Sequence, residues 1–232
     1  MPSHDDLAPF DPSDPHAGRP IGRAGAPLDD AGAAVVLLHG RGADARDILG
    51  LAGELAPEGA GDRLAFLAPD AARNTWYPYS FLSPIERNEP WLSSALVFVG
   101  RVMAEIEAAG IPSERTVLAG FSQGACLATE YAARNPRRYG AVIAFTGGLI
   151  GPPGTAFAHE GDLSGTLTGT RAYLGAGDPD PHVPWKRVEE TAEVLRRLGA
   201  EVETERFPGL PHTIARAEIL KARAMVAAVA GV

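Results

Sequence analysis

The sequence predicts an α/β architecture: a mostly parallel central sheet with helices on both faces, in a single domain. Three observations carry this. Continuous apolar runs of five or six residues recur, at 33–38, 64–68 and 141–145, which is how strands buried on both faces read. Strand-like runs alternate with helix-forming stretches, the order that builds parallel sheets through crossover helices. The length, 232 residues with 45% hydrophobic side chains, suits one sizeable core.

Taken in order, residues 1–30 are rich in Pro, Asp and Gly without periodicity, and read as a loosely draped extension, with room for a short strand. The domain is expected over 31–232. Strand 33–38 ends in His39-Gly40-Arg41-Gly42, and a helix follows over 44–56. A second buried strand, 64–68, is closed by Pro69-Asp70. Residues 71–91 interrupt the alternation with the aromatics Trp76, Tyr77, Tyr79 and Phe81, and a loop this long in a compact domain usually carries function. A helix over 92–109 has Leu96, Val99, Val102, Met103 and Ile106 at helical spacing and stops at Gly110. Next come a strand at 116–120, a helix over 123–134 and a strand at 141–145 ending in Thr146-Gly147-Gly148. A second loop over 149–169 precedes the strand 171–175 and the segment Gly177-Asp178-Pro179-Asp180-Pro181-His182-Val183-Pro184. The chain closes with a helix over 186–198, an edge-side strand over 201–207, a turn through Pro211-His212 and a helix over 214–229.

Composition narrows the function. The formal charge of −8 disfavours nucleic-acid binding, and no basic run suits an anionic membrane surface. No apolar run approaches the roughly 18 residues of a spanning helix, so stable membrane insertion is not expected. The first residues lack the basic start and apolar core of a secretory leader. The single cysteine, Cys126, allows no internal disulfide and suits a reducing compartment. A cytoplasmic protein, monomer or homodimer, is expected.

The chemistry centres on Gly120-Phe121-Ser122-Gln123-Gly124, a G-x-S-x-G pattern between a strand and a helix. That is a nucleophile elbow: the serine adopts unfavourable backbone angles, and its flanking glycines let the turn close. A serine hydroxyl needs a base, usually a histidine steadied by a carboxylate. In an α/β-hydrolase arrangement these follow in the order Ser, Asp or Glu, His, each at the C-terminal end of a strand. Ser122, the pair Asp178/Asp180 and His212 supply that order. His4 and His16 lie in the extension, His159 in a polar loop, and His39 shapes the turn after the first strand; His182 sits beside the acid loop as a rival. Of the two acids, spacing mildly favours Asp180, which Pro179 and Pro181 stiffen, whereas Asp178 suits a local turn cap. The oxyanion hole needs two main-chain donors, expected at Gln123 and Arg41. Trp76, Tyr77, Tyr79 and Phe81 form either an apolar substrate channel or a buried aromatic cluster. Cys126, one turn into the helix, reads as a packed structural thiol.

With these residues in order, the sequence resembles the phospholipase/carboxylesterase family of α/β-hydrolases, which includes acyl-protein thioesterases. The phrases that carry the resemblance are Leu38-His39-Gly40-Arg41-Gly42, Trp76-Tyr77-Pro78, Gly120-Phe121-Ser122-Gln123-Gly124-Ala125, Gly147-Gly148, the 177–184 segment and Pro211-His212. They span most of 33–230. The resemblance implies the α/β-hydrolase fold and a serine carboxylesterase acting on a small ester or thioester through an acyl-enzyme, with no metal or cofactor. It aligns Asp180 with the catalytic acid and Arg41 with the second oxyanion donor. Lysophospholipase, acyl-protein thioesterase and dienelactone-hydrolase-like lactone hydrolase are the alternatives. Arg41 departs from the small or apolar residue usual in the thioesterases, and Leu210-Pro211 from the small residues usual before the histidine.

Overall fold

The computed structural model describes residues 11–60, 63–154 and 165–232. A seven-stranded sheet forms the centre: β1 (Ile21–Gly25), β2 (Ala33–Leu38), β3 (Leu64–Pro69), β4 (Thr116–Phe121), β5 (Ala141–Phe145), β6 (Arg171–Asp178) and β7 (Glu201–Pro208). Their spatial order is β1-β3-β2-β4-β5-β6-β7. Only β1 runs antiparallel to its neighbour; all other pairs are parallel. The order places β4 in the middle, with β2 and β5 on either side.

The buried strands show why they are apolar throughout. Along β2, Ala34, Val36 and Leu38 enter the core on one face, and Ala33, Val35 and Leu37 the core on the other. Side chains of a strand alternate in direction, so a strand covered on both sides has no polar face. Helices α3 (Trp91–Ala108), α4 (Gln123–Arg134) and α5 (Trp185–Arg197) cover one face. Helices α1 (Ala45–Leu49), α2 (Ala52–Leu55) and α6 (Arg216–Ala230) cover the other. Among the described residues, no helix is long and apolar enough to cross a membrane.

Three expectations change. The single helix expected over 44–56 is two short ones. Asp44 begins α1 with a capping box, accepting from the N–H groups of Arg46 (2.8 Å) and Asp47 (3.0 Å), and Gly50 ends it. The boundary expected at residue 31 falls after a strand of the sheet, since β1 pairs with β3 from Ile21↔Pro69 to Gly25↔Ala65. Its lack of periodicity follows from its position at the sheet edge, half-exposed and only five residues long. Finally, the extension expected to drape loosely is seated on the core at His16, which is fully buried, while His4 and His159 lie outside the described residues. His16 donates its own N–H to Ser94 Oγ (2.9 Å) and takes Arg101 Nη2 on its carbonyl (3.1 Å), which seats the segment on α3.

Helix α6 carries a buried acid. Glu218 is fully buried; its Oε2 accepts the N–H of Ala215 (2.7 Å), fixing the start of α6, while Oε1 has no partner. Gly175 makes room for it, since a Cβ there would lie 2.2 Å from Oε1. Burial raises the Glu218 carboxyl; the Ala215 N–H pulls it down, Glu205 nearby pushes it up, and the net is a pKa of about 7. A carboxyl with a raised native pKa binds more protons folded than unfolded, so its contribution to stability is full below the unfolded value of 4.5 and is lost as pH rises to about 7. We expect Glu218→Gln to flatten that slope and to gain up to about 3 kcal/mol over wild type at pH 8. Urea denaturation of both proteins at several pH values checks this; parallel curves would refute it.

Candidate active site

The centre of the site is the turn from β4 into α4. Ser122 has φ 54° and ψ −116°, angles that an L-residue avoids. Its neighbours explain how the turn persists. A Cβ on Gly120 would stand 2.4 Å from the Gly124 carbonyl carbon, and one on Gly124 would stand 2.0 Å from the Leu38 carbonyl oxygen. The helix therefore presses directly on the ends of β2 and β4. Ser122 donates its N–H to Phe145 O (2.9 Å), tying the tip to β5.

Strand register brings the other groups to the same edge. Leu38 pairs with Gly120, so His39-Gly40-Arg41-Gly42 emerges beside the elbow. Asp178 ends β6 opposite Pro208, which ends β7, so the acid loop and the turn to His212 leave the sheet together. His212 Nε2 lies 2.8 Å from Ser122 Oγ, and Nδ1 lies 2.7 Å from Asp180 Oδ2. With the proton on Nδ1 facing the carboxylate, Nε2 is free to accept from the serine hydroxyl. The Asp180 side chain is fully buried and its Oδ1 accepts from the N–H groups of His182 (2.8 Å) and Val183 (2.7 Å). Burial alone raises this carboxyl; the two N–H groups and His212 outweigh it and hold it below the usual 3.8. Asp178 instead pairs with Arg206, and its carbonyl accepts from Gly209 (2.9 Å). Only one of the two acids touches His212.

The serine opens onto a cavity of about 410 Å³ lined in part by Gly40, Arg41, Tyr77, Tyr79, Phe81 and His182. Three of the four predicted aromatics thus line it. Trp76 does not: its ring is fully buried, with Nε1 donating to His39 O (2.9 Å) and the rings of His16 and Phe98 packed against it. The expectation of Trp76 as a substrate contact is corrected to a core role, because the indole fills the space between the aromatic loop and α3. His39 is also buried, with Nδ1 donating to Gly40 O (2.8 Å) and Nε2 accepting from Ala71 N–H (3.1 Å). Burial lowers its pKa, so it holds the turn as a neutral ring. Cys126 lines the cavity floor, yet burial pushes its thiol up to about 12, which makes it a poor nucleophile. His182 lies edge-on to His212, ring centres 4.8 Å apart, and Phe121 packs on His212 from 5.1 Å. Among the described residues, no group of three or more His, Cys, Asp or Glu is arranged to hold a metal ion.

Two supports of the site are absent from the sequence reading. The Gln123 side chain accepts from the N–H of Trp76 (3.0 Å) and donates to Tyr77 O (2.8 Å), clamping the aromatic loop to the elbow. His16 reaches the same loop from the extension: Nε2 donates to Trp76 O (3.0 Å), Nδ1 accepts from Ala72 N–H (3.1 Å), and burial lowers its pKa to about 4. The signal for Gln123 was its place in the motif, where its main chain drew the attention. No sequence signal marks His16.

A model of the phospholipase/carboxylesterase family matches residues 24–229. The fold is similar to a solved phospholipase/carboxylesterase from Dyadobacter fermentans, with 46% identity, 90% of this chain and 96% of that one covered, and a TM-score of 0.82. It is also similar to the solved esterase PE8, at 25% identity, 91% and 98% coverage and a TM-score of 0.73. Among curated proteins, acyl-protein thioesterase 1 of Gibberella zeae is 29% identical over 122 residues, 53% of this chain and 51% of that protein. The chain thus spans about half the length of the curated relatives it matches.

The clamp yields a test. Gln123→Ala leaves the buried Trp76 N–H without a partner and removes one of the two donors to Tyr77 O, which keeps Thr75 Oγ1 (2.9 Å), a loss of about 1–3 kcal/mol in urea unfolding. Gln123→Glu, which sets an oxygen against Tyr77 O, is expected to lose at least as much; an unchanged midpoint in both would dismiss the clamp.

Proposed function

The chain belongs to the phospholipase/carboxylesterase family of α/β-hydrolases, and from that premise we propose that it is a serine carboxylesterase acting through Ser122, His212 and Asp180. The observation that carries the reading is the continuous chain of contacts from Asp180 through His212 to Ser122, opening onto the cavity.

In the first half-reaction His212 Nε2 takes the proton as Ser122 Oγ attacks the ester carbonyl. Asp180 holds the ring in the tautomer this requires and stabilises the imidazolium that forms. The N–H groups of Gln123 and Arg41 stabilise the oxyanion of the tetrahedral intermediate. Gln123 is the first residue of α4, where no carbonyl within the helix reaches its N–H. His212 then gives its proton to the leaving alcohol or thiol, and an acyl-enzyme remains. Water repeats the steps and releases the acid.

Tyr77, Tyr79 and Phe81 form the wall for the acyl part of a small ester. A cavity of about 410 Å³ lies at the small end of ligand sites and suits short to medium acyl chains. A thioester is the second reading, supported by the matching half of the Gibberella zeae acyl-protein thioesterase. A reducing, cytoplasmic setting agrees with the one buried cysteine.

Ser122→Ala is expected to abolish hydrolysis of p-nitrophenyl acetate with the fold intact by circular dichroism; retained turnover would end the proposal. Asp180→Asn is expected to lower kcat by about 10⁴, by favouring the wrong histidine tautomer. Asp178→Asn, in the same assay, should stay within about tenfold of wild type. The reverse ranking would reassign the acid.

A further inference from the structure

The mechanism above uses only the main chain of Arg41. Its side chain crosses the mouth of the cavity, where Nη1 donates to Pro78 O (2.9 Å) and Nη2 to Tyr79 O (2.7 Å). The preceding carbonyl, Tyr77 O, is held by Gln123 Nε2 (2.8 Å). Tyr77 O also accepts from Thr75 Oγ1 (2.9 Å), and all three consecutive carbonyls of the aromatic wall take a donor from the side chain of one of two residues, Arg41 and Gln123. These are the same two whose N–H groups serve as oxyanion donors in the proposed reaction.

The turn that carries Arg41 is held at its base by His39, bonded to Gly40, Ala71 and Trp76, and by Asn74, whose Nδ2 donates to Ala43 O (2.9 Å). The Arg41 guanidinium adds a brace toward the aromatic wall. Gly42 follows at φ 82° with open space around it, and its N–H to Asn74 O (2.8 Å) is the main-chain tie to the wall. Among the described residues no carboxylate pairs with Arg41, although the chain is acidic overall. A planar guanidinium spans two neighbouring carbonyls with donors fixed in one fork, whereas an ammonium offers three donors from a single freely rotating nitrogen and fixes no such geometry.

We infer that the Arg41 guanidinium is a positioning group for the oxyanion hole: it braces the 39–42 turn against the aromatic wall and so sets where its own N–H stands. The inference rests on the esterase reading. A group that fixes a donor aimed at a charge present only in the transition state acts on kcat and leaves KM nearly unchanged. Because the same guanidinium holds the wall, movement of the wall is transmitted to the donor.

The test compares wild type with Arg41→Ala and Arg41→Lys on p-nitrophenyl acetate, with affinity for an alkyl boronic acid as a mimic of the tetrahedral oxyanion. Arg41→Ala is expected to lower kcat about tenfold to a hundredfold, with a parallel loss of boronic acid affinity and KM within about threefold. Arg41→Lys should fall between, and millimolar guanidinium chloride should restore part of the Arg41→Ala rate. Should Arg41→Ala not fold, Arg41→Lys alone decides: a loss in kcat supports the inference and a full rate overturns it. A kcat of Arg41→Ala within about twofold of wild type overturns it, as does a loss confined to KM, which would make Arg41 a substrate contact. Failure of the esterase reading looks different: wild type would be inactive, or Ser122→Ala would retain full turnover.

Discussion

The seating of α4 against the ends of β2 and β4 is the contact on which the site depends. At Gly124 the helix backbone meets the Leu38 carbonyl so closely that not even a methyl group fits between them. This approach holds Ser122 at angles that cost of order 1–3 kcal/mol and would relax without it. It also places Ser122 directly before the first turn of the helix, beside the N–H groups that no carbonyl within the helix reaches. Everything else at the C-terminal edge of the sheet is arranged around that fixed tip.

Much of this was legible in the sequence, for definite reasons. The strands 33–38, 64–68 and 141–145 are buried on both faces, so their apolar runs leave no ambiguity about the layer they occupy. Ser122 and His212, whose side chains meet at 2.8 Å, stand out in the sequence because turn glycines and chain order are local, readable constraints. The acid was different. Asp178 and Asp180 differ only in direction, and direction came from tertiary partners: Arg206 for one, His212 with two N–H groups for the other. An aromatic-rich loop reads alike whether its rings face a ligand or the core, and the structure divides this one: Trp76 packs inward while Tyr77, Tyr79 and Phe81 line the cavity. The extension had room for a short strand, but the bounds of β1 and the burial of His16 were not readable, because an edge strand half in solvent has no periodic signature and a lone buried histidine has none either.

The histidines show how environment divides one residue type among several tasks. His16 and His39 are kept neutral by burial and serve as fixed donor–acceptor rings, one end to a carbonyl and the other to an N–H. His212 stays in reach of solvent and has a carboxylate on one nitrogen and a hydroxyl on the other. A neutral neighbour of the first kind stiffens a loop, whereas the second kind of surrounding supports proton movement.

The seating of His16 under the aromatic loop has a consequence for how the molecule comes into being. Its contacts to Trp76 and Ser94 join residues 60 and 78 positions apart, and Ser122 meets His212 across 90. None of these can form from local chain preferences, and long-range closures of this kind come late in folding. Both the segment that carries His16 and the turn that carries His212 must therefore be in place before the aromatic loop has this support and Ser122 its contact with His212. A nascent chain that has not yet released residue 212 from the ribosome lacks the histidine that meets Ser122, whatever the state of its sheet.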